Sequence, residues 1–587
     1  MTNKTARYLI TTADERTWEF DRPVIFLGEW CKLYDRKSVW SQIDSMVMPV
    51  HWEDRSKLKR DHDYLKEFYE KVLTALSNTL NNLHGVGYST EYWRIILGPW
   101  LLTYVAVVWD RWESVRIVFS LYELNKTKKI DCSNLDLVPE NYTEAIAMFQ
   151  NQLWNHLLFS DIISSQYSQK IFIENTPCAS EYLTKEKTSL KKKSLKMYVI
   201  HLIDRIFGKI ERNYKVVFLN SYFSFWNQIR LSLSLWQLPR MHSEFNEAVE
   251  MPCICNSQRK SFITFEINNS FEEFVRKNIL SHIPIAHLEG YTHIKEKSNQ
   301  KFPNCNTIFT ANSHWGNELF KLWCAEKVAR NAKLIISEHG GALRSHMTSF
   351  NHEEKISQIR TVWHDESEPG HIKLPPNKIM GMDIDVNPNA QNIVIIGLET
   401  PLFSYRCQSG PGSSLILKDY EQKIDFARKL DHSVYANLLV RPYPDRGWNL
   451  YKRYEDDLGK EKMAQPSTLR GQIANSKMIV CTYPLTTFSE AMHSGVPTIL
   501  LYKENFWEID PHFNDVVNIL KSAFIVFSCP YAAAKHVNAV WKDPAEWWTR
   551  NETVEAREYF FNKCGRAGKE SLNEWSVFFK KEGCNSH

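Results

Sequence analysis

The sequence lacks a long hydrophobic run, a cysteine framework and a strong net charge. Its formal charge of +4 over 587 residues does not favour a nucleic-acid partner. The twelve cysteines are scattered, and the closest pair, Cys253 and Cys255, has no second pair to complete a zinc site. The longest apolar run, Ile95 to Trp109, is too short to span a bilayer and indicates a buried helix. No secretory signal opens the chain, so we expect a cytoplasmic protein.

The composition is that of a soluble protein with an unusual number of aromatic side chains. Apolar residues make up 43% and charged residues 24% of the chain, while 13% is aromatic with 20 Trp. This content favours stacking on a ligand or broad internal interfaces. The length predicts two domains, or one domain with a large helical insertion.

The segment from Ser476 to Tyr502 has the clearest local pattern. A β-branched run ends before Pro484, and a helix with Thr486 or Thr487 as N-cap then extends to Gly495. Pro497 leads into a second apolar run. The pattern predicts a strand, a hydroxyl-rich turn, a helix and a strand.

Such a unit places the N-terminus of a helix at the carboxyl end of a parallel strand, where phosphates bind. Thr486 and Thr487 add hydroxyl donors, and Glu490 can accept hydrogen bonds from a ribose. The segment resembles the donor-binding segment of GT-B glycosyltransferases, which favours a nucleotide-sugar site. The alternative is an ordinary βαβ turn with a capping threonine.

Short strands are also predicted near the N-terminus, and polar residues follow two of them. These are Glu29 after the strand at 24–27, and His51, Asp54 and Arg55 after the strand at 46–50. Because open α/β sheets keep ligand groups past their strand ends, these four residues are candidates for catalysis or substrate binding. Each could equally form a salt bridge in a loop.

From about residue 57 to 209 the apolar spacing becomes helical. The aromatic residues within this stretch are better explained by helix packing than by ligand binding. Toward its end lies a basic run formed by Lys185, Lys187, Lys191, Lys192, Lys193 and Lys196. This run precedes the apolar residues Met197 to Phe207; a solvated helix face is favoured, and contact with an anionic membrane is the alternative.

A second strand-helix-strand unit ends at Glu338-His339-Gly340-Gly341. Paired glycines allow a close approach of the backbone to a ligand, and His339 at a strand end can bind a phosphate or act as a base. A tight turn would use the same glycines. The position after a buried strand favours a binding site.

These patterns predict an α/β protein with two Rossmann-like domains of GT-B type and a large helical insertion in the N-terminal half. The expected parts are an acceptor-side domain at 1–365 with the insertion at about 57–209, a linker at 366–390, a nucleotide-sugar domain at 391–545 and a helical tail at 546–587. Within the second domain, Arg441 ends a strand and can clamp a phosphate.

Metal motifs are weak in this sequence. Asp61-His62-Asp63 and Asp383-Ile384-Asp385 fit the Asp-x-Asp pattern, but neither follows a strand. We therefore expect no catalytic metal and no bound cofactor, with a nucleotide-sugar as co-substrate.

Several motifs together are similar to one family. FLGEWC, HWEDR, YWRIILGPWL, FQNQLWNHLL, the strand ending in HGG, RPYPDRGW and TYPLTTFSEA, in this order, resemble the transferase family of spirochaete and other bacterial O-antigen gene clusters. The resemblance spans almost the whole chain. It implies surface-polysaccharide synthesis without fixing the reaction.

The C-terminal part also resembles bacterial sialyl-, Kdo- and polyol-phosphate transferases of GT-B type. In those enzymes a His-Pro pair and a Ser/Thr pair face the donor phosphate; here Arg441-Pro442 replaces the first, Thr486-Thr487 matches the second, and Tyr443 is a further donor-binding candidate. The resemblance implies transfer of a sugar, first a CMP-activated acidic sugar and second an NDP-hexose, onto a glycan or lipid-linked acceptor at the inner membrane.

The expected mechanism is a single displacement with inversion. Glu29, Asp54 or His339 accepts the proton of the acceptor hydroxyl. Arg441 and the Thr486-Thr487 turn stabilise the leaving phosphate. The alternatives are a polyol-phosphate transferase that uses the same cleft and a non-catalytic protein that binds nucleotide-sugars.

Overall fold

The computed structural model describes residues 6–132, 137–178, 195–210, 213–365, 368–381 and 384–584. The described strands form three separate sheets, each with five parallel strands. The predicted α/β class with parallel sheets is thus confirmed. The sheets divide the chain into a first, a second and a third lobe, which follow one another along the sequence.

The strands of each sheet are consecutive in the chain. The first sheet contains β1 (Arg7–Ile10), β2 (Val24–Phe26), β3 (Ser45–Val47), β4 (Leu124–Asp131) and β5 (Phe172–Pro177). The second contains β6 (Asn213–Leu219), β7 (Asn304–Thr310), β8 (Lys333–Ser337), β9 (Ile359–Val362) and β10 (His371–Lys373). The third contains β11 (Asn392–Ile396), β12 (Leu438–Arg441), β13 (Ser476–Cys481), β14 (Thr498–Leu501) and β15 (Val526–Phe527).

The helices of the first half are α1 (Lys37–Trp40), α2 (Arg55–His84), α3 (Thr90–Leu121), α4 (Tyr142–Met148), α5 (Gln152–Tyr167), α6 (Leu195–Ile210), α7 (Phe225–Ser234), α8 (Asn256–Arg259), α9 (Ser270–His282) and α10 (Tyr291–Lys301). The remaining helices are α11 (Ser313–Gly316), α12 (Glu318–Val328), α13 (His352–Ile356), α14 (Leu415–Arg428), α15 (His432–Ala436), α16 (Leu450–Leu458), α17 (Leu469–Ala474), α18 (Thr486–Ser494), α19 (Asn514–Ser522), α20 (Pro530–Val540), α21 (Pro544–Trp548), α22 (Asn551–Cys564) and α23 (Ser571–Cys584).

The N-terminal half contains two sheets where the sequence predicts one domain with a helical insertion. The stretch 57–209 is mostly helical, but it also supplies β4 and β5 to the first sheet. β4 pairs directly with β1, with Arg7 opposite Leu124. The residues of β4 and β5 are largely polar, so they lack the apolar run that marks a strand in sequence. The domain limits expected from the sequence stay predictions, and β10 forms inside the expected linker.

The long helix α3 forms the centre of the first lobe. Trp93 and Trp100 on this helix are completely buried, which confirms that the aromatic residues here pack helices together. Among the described residues, α3 is the one helix long and apolar enough to cross a membrane, but 94% of its most apolar window is buried inside the protein. It is therefore a core helix, longer than the apolar run alone suggests.

The second sheet has strictly sequential strand order, β10-β9-β8-β7-β6. Right-handed crossovers place the connecting helices on one face of such a sheet. The C-terminal helix α23 covers part of the sheet with a small core of its own. In that core Trp575, Phe578 and Phe579 pack with Phe218 and Phe309. Helix α23 therefore packs on the second lobe.

The third sheet has the order β12-β11-β13-β14-β15, so the chain reverses direction at β11. In doubly wound sheets, ligands bind outside the carboxyl ends of the strands at such a reversal. Ile396 at the end of β11 is level with Arg441 on one side and Cys481 on the other. The segments at Arg441 and at Thr486, both predicted to bind the donor, thus begin at the same edge of one sheet.

Candidate functional site

The segment around residue 486 folds as its sequence predicts, with one difference. β13, α18 and β14 form the expected unit, and Gly495 ends α18 with φ +80°. The N-cap is Leu485, where Thr486 or Thr487 was expected, and its side chain makes no capping hydrogen bond. Because no side chain caps this end, the first N–H groups of α18 are suited to binding an anion.

The turn after β8 meets the start of α18. A Cβ on Gly340 would overlap with Oγ1 of Thr486, so only a residue without a side chain allows this approach. Beside it, the backbone N–H of Leu343 donates to the carbonyl of Pro484 at 3.3 Å. The structure therefore brings together the Gly340-Gly341 turn of the second lobe and the Thr486-Thr487 turn of the third.

Two side chains of α18 already have partners. The hydroxyls of Tyr483 and Thr487 are 2.6 Å apart. Glu490 is buried, and its Oε1 lies 3.5 Å from Nζ of Lys378. Lys378 follows the second sheet and was not predicted, because a single lysine in a proline-rich segment has no recognisable pattern. It adds a cation next to the carboxylate expected to bind ribose.

His339 lies in the same turn, next to a partly buried carboxylate. Its Nδ1 is 3.7 Å from Oε1 of Glu353. Glu353 accepts hydrogen bonds from Nε2 of His314 at 3.0 Å and Nε1 of Trp315 at 3.1 Å. Burial alone would raise the pKa of Glu353, but the charge of Arg360 and the hydrogen bond from His314 hold it well below its usual range. Glu353 is therefore ionised and can orient His339.

The His339 imidazole is suited to accept a proton. Partial burial of the ring lowers its pKa below the ordinary value, so the neutral form predominates at pH 7. The ring packs edge-on against Tyr222, with centroids 6.4 Å apart. Tyr222 accepts a hydrogen bond from Nδ2 of Asn312 at 2.7 Å and has a left-handed φ of +62°. Strained backbone of this kind is concentrated at functional sites.

Arg441 is the last residue of β12, and Tyr443 lies in the loop that follows it. This loop is held by Glu399, which accepts the backbone N–H groups of Arg446 at 2.8 Å and Trp448 at 2.9 Å. Burial raises the pKa of Glu399 to about 7. Glu399 was missed because a single carboxylate in a loop gives no sequence signal. Its role is to fix the loop that follows Arg441.

The four candidates of the first lobe have partners of their own. Glu29 forms an ion pair with Lys32 at 3.1 Å, and Asp54 accepts the backbone N–H of Lys57 as the N-cap of α2. Nη2 of Arg55 binds Oε2 of Glu508 in the third lobe at 2.8 Å. These contacts favour structural roles, and their catalytic or binding roles stay predictions.

His51 is also engaged inside the protein. Its Nε2 is 3.1 Å from Oδ1 of Asp110, and only 4% of its side chain is exposed. It lines a cavity of about 10 Å³, large enough for one water molecule. A direct contact with a substrate is therefore not favoured. Of the three candidate bases, His339 directly precedes Gly340, the residue that meets Thr486.

Within the described residues, no group of three His, Cys, Asp or Glu side chains could hold a metal ion. In the first Asp-x-Asp motif, Asp61 is buried and accepts a hydrogen bond from Nε1 of Trp52. In the second motif, Asp383 lies outside the described residues. The basic run from Lys185 to Lys193 also lies outside them.

We expect Gly340→Ala to destabilise the protein by about 1–3 kcal/mol, because the new methyl group overpacks the contact with Thr486. Thermal and urea unfolding measure this effect. Gly568→Ala is the matched control, because a Cβ there meets nothing within 4 Å.

A second change tests the contact itself. Thr486→Ala removes the overlapping hydroxyl, so the double variant Gly340→Ala/Thr486→Ala should recover most of the lost stability. Additive losses in the double variant would show that the two turns do not meet in this way.

Comparison with solved structures gives low similarities. S. aureus MnaA, solved with UDP, is 11% identical with a TM-score of 0.35, covering 62% of this chain and 94% of that one. Acinetobacter baumannii MurG is 9% identical with a TM-score of 0.32, covering 63% and 99%. TM-scores this low establish neither a shared fold nor a shared activity.

Comparison at the level of sequence is more decisive. No curated protein matches this chain. A family model described as LIC12162 family transferase matches residues 7–579, nearly the whole chain, and thus includes all three sheets and both turns of the site. The chain therefore belongs to the LIC12162 family of transferases.

Proposed function

We propose that this transferase is a glycosyltransferase of GT-B type that moves a sugar from a nucleotide donor to a surface-polysaccharide or lipid-linked acceptor. The observation that carries the proposal is the contact between the Gly340 turn of the second lobe and the Thr486 turn of the third. Each turn follows the carboxyl end of a parallel strand, which is where such sheets bind ligands. Such an arrangement would allow one lobe to hold the donor and the other to hold the acceptor.

The third lobe is the proposed donor side. The uncapped N-terminus of α18 and the guanidinium of Arg441 would bind the phosphate of the nucleotide. Glu490 would accept hydrogen bonds from the ribose. Because these groups are positioned before the reaction, they stabilise the charge that develops on the leaving phosphate.

The second lobe supplies the proposed base. His339 would accept the proton of the acceptor hydroxyl as its oxygen attacks the anomeric carbon. The bond from that carbon to the phosphate oxygen breaks, and the nucleotide leaves with the electron pair. A single displacement inverts the anomeric configuration. Glu353 stabilises the imidazolium that forms.

The donor is proposed from the resemblance of the C-terminal part to sialyl-, Kdo- and polyol-phosphate transferases. A CMP-activated acidic sugar is the first choice, and an NDP-hexose is the second. Both present a phosphate to Arg441 and a ribose to Glu490, so the site chemistry is the same. The proposed location is the cytoplasm, with the acceptor at the inner membrane.

The test begins with nucleotides and ends with turnover. A nucleotide at about 100 times its Kd should add roughly 2.7 kcal/mol of stability, which a thermal-shift screen detects. Donors of the nucleotide that binds are then assayed for hydrolysis and transfer. We expect Arg441→Ala to lower kcat/KM about 10²-fold or more, since one stabilising donor is lost.

Arg428→Ala is the matched control, because Arg428 is an exposed arginine on α14 paired with Asp457. The proposal fails if no CMP- or NDP-sugar is turned over, or if Arg441→Ala behaves like this control. Nucleotide binding without turnover would indicate a non-catalytic binding protein.

A further inference from the structure

Helix α6 of the second lobe has an apolar side that faces solvent. Leu202, Ile203, Ile206 and Ile210 are 59%, 37%, 47% and 70% exposed. Their spacing of one, four and eight residues places them on one side of a helix. A soluble protein normally turns such a side toward its core. We call these four residues the α6 apolar stripe.

The opposite side of α6 holds the helix to the protein. The carboxylate of Asp204 is buried and accepts the backbone N–H groups of Met241 at 2.8 Å and Ser243 at 2.7 Å. A Cβ on Gly208 would lie 2.7 Å from the Arg240 guanidinium, so the helix also packs closely there. These contacts fix the rotation of α6, and the stripe therefore points away from the protein.

Exposed cations lie along the edge of the stripe. Arg205 and Lys209 are both exposed on α6. Helical spacing puts them between the anchored side at Asp204 and the apolar side at Ile206. An amphipathic helix with an apolar side bordered by Lys and Arg is typical of binding in the plane of an anionic membrane.

The next helix along the chain, α7, adds exposed aromatic residues. Trp226 is 68% exposed, and Trp236 just beyond the helix is 89% exposed with a left-handed φ of +57°. α7 is tied to the segment that anchors α6, because Nε2 of Gln228 donates to the carbonyl of Arg240 at 3.4 Å. Tryptophan is enriched at the boundary between lipid and water.

We propose that the α6 apolar stripe, with Trp226 and Trp236, seats the second lobe on an anionic lipid bilayer. The stripe would enter the boundary between headgroups and acyl chains, while Arg205 and Lys209 remain at the level of the anionic headgroups. A lipid surface accounts for the apolar, aromatic and cationic groups together. A second copy of the chain would cover the apolar side but would bring the same cations close to one another.

The test uses the full chain and vesicles, and it requires no donor. Co-sedimentation with vesicles of phosphatidylglycerol and phosphatidylcholine should exceed that with phosphatidylcholine alone, and added salt should reduce the difference. Ile206→Glu/Ile210→Glu should weaken binding about tenfold or more, because two apolar side chains no longer enter the lipid. Both residues are exposed, so an unchanged unfolding midpoint is expected.

Val554→Glu is the matched control, an exposed apolar residue on α22. It should bind vesicles like the unchanged protein. The proposal is overturned if the unchanged protein ignores anionic vesicles, or if the double variant binds as the control does. It is also overturned if light scattering shows a dimer that Ile206→Glu/Ile210→Glu dissociates. The vesicle assay does not measure donor turnover. A negative result would therefore overturn the membrane proposal without contradicting the glycosyl-transfer proposal.

Discussion

His339→Gln is expected to lower kcat for sugar transfer by about 10²–10⁴-fold, the usual contribution of a general base. The glutamine amide can hydrogen-bond to the acceptor hydroxyl but cannot accept its proton. The dependence of kcat on pH provides a second test of His339 as the base. Because burial lowers the pKa of His339 below its ordinary value of 6.5, the unchanged protein should lose activity only below about pH 6.5.

The variant should lose this acidic limb of the profile while nucleotides still raise its unfolding temperature. His432→Gln, at an exposed histidine on α15, is the control and should keep both rate and profile. If His339→Gln keeps the acidic limb, the base is another group, and Glu29 and Asp54 become the next variants to measure.

Asp110→Ala is expected to cost about 3–5 kcal/mol of stability, because it leaves a buried guanidinium without its counter-ion. Arg111 is completely buried, and its Nη1 lies 2.7 Å from Oδ2 of Asp110. It also donates to Oδ1 of Asn155 and to the carbonyl of Ser404, so it joins α3 to the loop after β11. Urea unfolding followed by tryptophan fluorescence measures the loss.

Two further variants distinguish the stability lost by breaking the buried ion pair from the stability lost by removing any carboxylate. Asp161→Ala removes an exposed partner of Lys129 and should cost at most about 1 kcal/mol. Asp110→Ala/Arg111→Met removes both buried charges and should recover much of the loss. If the double variant is less stable than Asp110→Ala, Arg111 contributes mainly through its other hydrogen bonds.

The parts of the fold predicted from sequence are those where local signals agree. The β13-α18-β14 unit was predicted because β-branched runs, Pro484 and Gly495 mark its limits within one short segment. The turn at Gly340 was predicted because paired glycines and His339 directly follow the buried strand β8. The two turns contact each other in the structure, although Gly340 and Thr486 are about 150 positions apart in the sequence.

The missed features depend on partners that are distant in the sequence. β4 and β5 are polar and become strands because β1 offers an unpaired edge. Glu353 and Lys378 gain their roles only when folding places them beside His339 and Glu490. The Leu485 N-cap was missed because the adjacent threonines are preferred caps, and tertiary contacts override that preference.

The position of α23 has a consequence for how the chain is made. The second sheet is complete at Lys373, but the helix that covers part of it begins at Ser571. At about 5–20 residues per second, a ribosome needs roughly 10–40 s to synthesise the roughly 200 residues between them. During that interval the parts of Phe218 and Phe309 that α23 covers remain open to water. Exposed apolar surface of this kind favours aggregation and binding by chaperones. Helix α23 must be synthesised before this lobe can close its core.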